Sequence, residues 1–166
     1  IDNAFNYSVE FTGSTISDLG ALKYIGGSVN FNNTNIKSLN NVEVITGDVS
    51  GLSSAADPNK KITSLGKLRI VGRSINFGYS AITSLGNLER VGMNLHLRYS
   101  EITSMGNVKS IGNSLILEEG STIDISGIDV GNEIAYWQEA GGEIKGAFNP
   151  ETNTTSLTGI SDISTL

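Results

Sequence analysis

Isoleucine recurs at positions 16, 36, 62, 82, 102 and 123, at spacings of 20, 26, 20, 20 and 21 residues. Each of the first five opens a block with the same internal pattern. A repeat of this length leaves few folds open, because one block is too short to bury its own apolar face and must stack on its neighbours. Counting the isoleucine as block position 0, position 3 holds Leu19, Leu39, Leu65, Leu85 and Met105. Position 6 holds Leu22, Val42, Leu68, Leu88 and Val108, and position 9 holds Ile25, Ile45, Val71, Val91 and Ile111. Position 13 holds Val29, Val49, Ile75, Leu95 and Leu115, and position 15 holds Phe31, Gly51, Phe77, Leu97 and Leu117. Stacking turns each position into a column through a common core.

Two periods coexist in the block. Positions 13 and 15 alternate with polar residues, which is strand spacing. Together with a leading half-block around Val9 and Phe11, they predict six parallel strands near 8–11, 28–31, 48–50, 74–77, 94–97 and 114–117. Positions 0, 3, 6 and 9 recur every three residues, which predicts tight turns or short 3₁₀-like or helical segments on the other face. Gly20, Gly66, Gly86 and Gly106 at position 4, and Gly26, Gly72, Gly92 and Gly112 at position 10, fit corners needing positive φ or close backbone approach. Ser14, Thr34, Ser54, Ser80 and Ser100 form a column of hydroxyls, expected to satisfy buried backbone groups at the turn. The six extra residues of the 26-residue block fall at Ala55–Lys60 and read as a surface loop.

The run Leu88-Glu89-Arg90-Val91-Gly92-Met93-Asn94-Leu95-His96-Leu97 and its counterparts resemble the receptor L-domain type of leucine-rich repeat. The resemblance spans roughly residues 8–130. Thr or Ser stands at position 18 where the common repeat has Asn. It implies a right-handed solenoid with a parallel sheet on one face. The expected organisation is a leucine-rich-repeat-like solenoid over 1–130 and a C-terminal cap or linker over 131–166, which can also open a following domain.

Composition narrows the function. The chain has 166 residues, no Cys, one His and a net charge of −6. Zero Cys removes disulfides and thiolate chemistry. A single His leaves no multi-histidine metal site. The acidic balance argues against a nucleic-acid partner, and no apolar run reaches membrane-spanning length. Asp57 and Asn59 beside Lys60 and Lys61 make a poor calcium loop. No catalytic residue, metal or cofactor is therefore expected. The outward strand residues are small and polar, and a binding strip on that face would be anchored by Tyr79, Tyr99, Arg98 and His96, flanked by Asn76 and Asn94. Glycosidase-type chemistry would need clustered acids, whereas Glu10, Asp48 and Glu118 fall on distant blocks.

After Gly131 the pattern changes. Ile134 and Trp137 predict a short helix covering the solenoid end. Segments Ile144–Phe148 and Thr154–Leu157 around the turn 149–153 predict a β-hairpin, and Ser161 or Asp162 is a candidate helix N-cap. The tail is similar to the segment preceding the H-E-x-x-H helix in metallopeptidase-like domains of large phage and bacterial proteins. Gly146, Phe148, Asn149, Pro150, Thr152, Asn153, Leu157, Asp162, Ser164, Thr165 and Leu166 carry that likeness. Two functions follow as expectations. One is a non-enzymatic, monomeric recognition or scaffold module of a larger bacterial or phage protein, at the cell surface or secreted, binding protein, peptide or glycan. The other is the non-catalytic flank of a zinc metallopeptidase-like protein whose zinc ligands would lie beyond Leu166.

Overall fold

The computed structural model describes residues 3–52, 62–138, 142–149 and 154–158. It is a parallel β-solenoid of about six turns. Every block contributes two short strands to two sheets. The first sheet has seven strands, running from Ala4–Phe5 through Tyr24–Ile25, Val44–Ile45, Ile70–Val71, Arg90–Val91 and Ser110–Ile111 to Asp129–Val130. The second has nine strands and begins with Val9–Glu10, Val29–Asn30, Val49–Ser50, Ile75–Asn76, Leu95–His96 and Ser114–Glu118. Those six are the strands the alternating positions predicted, in register one block apart: Leu95 pairs with Ile75 on one side and Leu115 on the other.

The first sheet replaces the expected 3₁₀-like or helical face, and no described residue is helical. The three-residue recurrence has two separate causes. Between positions 3 and 6 the chain makes one turn, closed by Leu68 N–H to the Leu65 carbonyl at 3.1 Å and Leu88 N–H to that of Leu85 at 3.0 Å. After the turn the chain extends, and position 9 points inward from a strand. Two residues per strand is too short a stretch to show alternation, so a sheet with one inward residue per rung reads as a spacing of three.

The columns close as the repeat requires. Ile62, Leu68, Val71, Phe77, Ile82, Leu85, Leu88 and Leu95 are fully buried and belong to one continuous apolar core. Phe11 stacks on Phe31 with ring centroids 5.6 Å apart. The glycines divide into the two expected kinds. Gly20, Gly66, Gly86 and Gly106 sit at φ between +55° and +57° inside the position 3–6 turns. Their N–H groups are held by the side chain two residues earlier, as in Gly86 N–H to Ser84 Oγ at 3.0 Å. Gly72, Gly92, Gly112 and Gly131 instead line the corner between the sheets. A Cβ on Gly92 would lie 2.0 Å from the Gly72 carbonyl oxygen, and one on Gly112 would lie 2.1 Å from that of Gly92.

Polar columns hold the same corner. Ser28 N–H donates to Ser8 Oγ (3.0 Å), Asp48 N–H to Ser28 Oγ (2.9 Å) and Ser74 N–H to Asp48 Oδ1 (3.0 Å). Asn94 N–H donates to Ser74 Oγ (3.2 Å) and Ser114 N–H to Asn94 Oδ1 (3.2 Å). This ladder serves the backbone in place of the hydroxyls of Ser14, Thr34, Ser80 and Ser100. Those four are buried at the opposite corner without a hydrogen-bond partner among the described residues. On the outer surface Arg69, Glu89 and Lys109 form a chain of ion pairs at 3.1 and 3.3 Å. The Arg69 hydrogen bond, then that of Lys109, holds the Glu89 carboxyl below its usual range.

Glu133–Gln138 is a strand, not the helix predicted from Ile134 and Trp137. It pairs in parallel with Ser114–Glu118, with Ile134 opposite Leu115. A five-residue strand offers a longer edge than any earlier rung, and a β-prone Ile-Ala-Tyr-Trp stretch satisfies it better than a helix. Ile134 and Ala135 are both buried. Gly142–Asn149 and Thr154–Thr158 then add antiparallel strands at the same edge, so the hairpin segments extend the second sheet. Ser54, the Ala55–Lys60 loop with Asp57 and Asn59, residues 150–153 of the hairpin turn and the Ser161 or Asp162 cap lie outside the described residues.

Two glycine substitutions separate the corner from the turn. Gly92→Ala drives a methyl into a carbonyl that no rotamer can move, and should cost at least about 2–3 kcal/mol of unfolding free energy. Gly86→Ala meets nothing within 4 Å and should cost only the left-handed backbone penalty of about 1–2 kcal/mol. Urea denaturation midpoints rank the two. Asn94→Ala leaves the Ser114 N–H without its acceptor and should cost about 1–3 kcal/mol, whereas Asn94→Asp keeps an acceptor there and should avoid most of that cost.

Candidate functional site

Four rungs leave the second sheet through a four-residue turn in which the hydroxyl-column residue (Ser14, Thr34, Ser80 or Ser100) donates its N–H to the carbonyl three residues earlier. Examples are Ser80 to Phe77 (3.0 Å) and Ser100 to Leu97 (3.1 Å). The third residue of such a turn has positive φ, which favours Gly or Asn. The first two rungs obey: Gly13 stands at +70° and Asn33 at +56°. Further along the stack the residues at this place are Tyr79 and Tyr99, both at +58°. A bulky residue there carries about 1–2 kcal/mol of steric cost.

The turn brings the two rings together. Their centroids lie 4.8 Å apart with the planes tilted by 32°. The Arg98 guanidinium carbon sits 4.2 Å from the Tyr99 centroid, and its Nη2 donates to the Tyr99 hydroxyl at 2.6 Å. Offset rings are worth about 0.5–1.5 kcal/mol and a cation over a ring about 0.5–1 kcal/mol, which offsets part of the turn cost. Tyr79 nevertheless remains 61% exposed. Among the described residues only Tyr7, which tilts against Phe5, is a comparably exposed large apolar side chain.

Of the other predicted site residues, Asn94 and Asn76 serve the scaffold. Asn94 belongs to the corner ladder, and its Oδ1 also accepts from Asn113 Nδ2 at 2.8 Å. Asn76 shapes the turn, since its Oδ1 accepts the Gly78 N–H at 2.7 Å. His96 lies beside Asn76 and Ile116 on the second sheet, with its Nδ1 buried and without a partner among the described residues. Thus Tyr79, Tyr99 and Arg98 touch one another, and His96, two residues before Arg98, lies beside Asn76 on the adjacent strands. Gly78, held by Asn76, stands where the other rungs carry Thr12, Asn32, Leu52, Arg98 and Glu118. Among the described residues no three His, Cys, Asp or Glu side chains converge as metal ligands, and no helix is long and apolar enough to cross a membrane.

Burial first, and then the Arg98 charge, pushes the His96 pKa below its ordinary 6.5. The native state therefore gives up this proton more readily than the unfolded chain. The stability contributed by neutral His96 is complete above pH 6.5 and falls as the pH drops through the native midpoint. As His96 is the single histidine, its imidazole signals in an NMR titration should show a midpoint below 6.5. Arg98→Gln should raise that midpoint by only part of the shift.

No protein-family model, curated protein or solved structure matches the chain.

Proposed function

We propose that this chain is a non-enzymatic recognition module of the leucine-rich, receptor L-domain-like type, working as part of a larger bacterial or phage protein. Its contact surface is the group Tyr79, Tyr99, Arg98 and His96. The observation that carries this reading is the pair of tyrosines at positive φ. Folding alone favours Gly or Asn at those turns, and the first two rungs use them. A ring placed there at a conformational cost, and left mostly in solvent, contributes little to the core. Exposed Tyr and Arg on a rigid frame are, however, the residue types that dominate contact energies. The leucine-rich assignment is supported by the Ile, Leu and Val columns and by the recurrent L-x-x-V-G-x-x-L-x-L run. A rigid stack with few convergent ionisable groups suits a surface that holds a partner better than one that performs proton transfer.

Asparagine tolerates left-handed backbone, so Tyr79→Asn and Tyr99→Asn separate recognition from folding. Each variant should unfold within about 1 kcal/mol of the parent. The double variant should lose signal on an array of immobilised proteins, peptides and glycans that the parent recognises. Full retention of that signal would place the contact surface elsewhere.

A further inference from the structure

We propose that Tyr79 and Tyr99 are a site of oxidative modification, at which a peroxide-driven one-electron oxidant joins the two phenols into an intramolecular dityrosine. The proposal goes beyond the recognition reading and rests on the ring geometry, so its failure would leave that reading untouched.

Coupling needs two phenols held in contact and at least one of them open to the oxidant. The turns supply the first condition. The two residues occupy the same place in consecutive turns, both at a φ of +58°, and Tyr79 N–H donates to the Tyr99 carbonyl at 3.0 Å. Their ring centroids lie 4.8 Å apart, within contact distance for aromatic rings. The Arg98 guanidinium lies over the Tyr99 ring and donates to its hydroxyl, which keeps that ring in place. Tyr79 supplies the second condition, because most of it is exposed. Tyr7 is as open, but its ring rests against Phe5, which has no phenol to couple with. The chain has no Cys, so no thiol intercepts the oxidation.

Each phenol gives up one electron and its hydroxyl proton. The phenoxyl radical that remains shares its unpaired electron with the ring carbons next to the one bearing oxygen. One such carbon of Tyr79 bonds to one of Tyr99, and the remaining approach needs only a rotation of the exposed Tyr79 side chain. The hydrogen on each of these two carbons then moves to its own phenol oxygen, which restores both aromatic rings. The pair has lost two hydrogen atoms, and one hydrogen peroxide, reduced through a haem peroxidase, has become two waters. The new bond ties one rung to the next and restricts the unfolded chain as a disulfide would.

The test treats the dilute full chain with a haem peroxidase and hydrogen peroxide. The monomer should lose two hydrogen atoms by intact mass and gain dityrosine fluorescence. A tryptic map should show peptide 74–90, which carries Tyr79, joined to peptide 99–109, which carries Tyr99. The joined monomer should unfold at a higher temperature than the untreated chain. Tyr79→Phe and Tyr99→Phe keep a ring at each place and remove one phenol. Each should lower the yield of joined monomer by at least about tenfold, because the coupling depends on proximity and not on collision. Thermal midpoints show whether each variant is folded. The parent unfolded in urea carries the same tyrosines without the ring contact and should show the same loss, which keeps the test decisive where a variant fails to fold. Dityrosine found only in covalent dimers, a link mapped to a different pair, or a yield that survives either substitution or urea overturns the proposal.

Discussion

The whole molecule depends on how closely one rung can lie on the next at the glycine corner. There the backbone of Gly92 approaches the Gly72 carbonyl so nearly that even a methyl would sit 2.0 Å from the oxygen. The absence of a side chain at Gly72, Gly92, Gly112 and Gly131 lets these rungs lie at the strand-pairing distance that both parallel sheets require. At that spacing the side chains of Leu65, Leu85 and Met105 meet as one column, and no rung has to close a core alone. The side-chain ladder from Ser8 to Ser114 works within the same distance. One short side chain reaches only the N–H of the adjacent rung, and together these bonds satisfy donors that the corner removes from water.

The proposed contact surface is a by-product of the same stacking. A turn recurring at each rung places the same residue position in a row along the solenoid. Two tyrosines one block apart are then brought ring to ring by the backbone, without a loop having to be ordered around them. The entropic cost of holding the rings is met by the fold itself, which is the condition under which an exposed aromatic is most useful to a ligand. Burial, and then the Arg98 charge, holds the neighbouring His96 pKa below its ordinary value.

Much of the fold was legible in the sequence because its signal is repeated. The strands at Val29, Val49, Ile75, Leu95 and Leu115 stand where alternation put them, and the two glycine columns have the two roles their positions suggested. The first sheet was not legible, because a two-residue strand following a turn mimics a three-residue period. The strand at Glu133–Gln138 was misread for a related reason: Ile134 and Trp137 fit a helical face, but an unpaired strand edge nearby outweighs that spacing. Asn76 and Asn94 read as flanks of a binding strip, whereas their oxygens are held by backbone N–H groups. Only the pairing of rungs tells a solvated asparagine from one that builds a turn. The tyrosine pair was legible from its block position, but its positive φ was not legible from the tyrosines themselves. The Gly13 and Asn33 that precede it in the column carried that information.

The central claim is that neighbouring rungs share one core and thereby hold the tyrosines face to face. A NOESY spectrum with labelled methyl and tyrosine groups tests it most directly. The account predicts cross-peaks from Leu85 methyls to both Leu65 and Met105, and ring-to-ring cross-peaks between Tyr79 and Tyr99. Methyl contacts confined within single blocks, with no signal between the two rings, would contradict it.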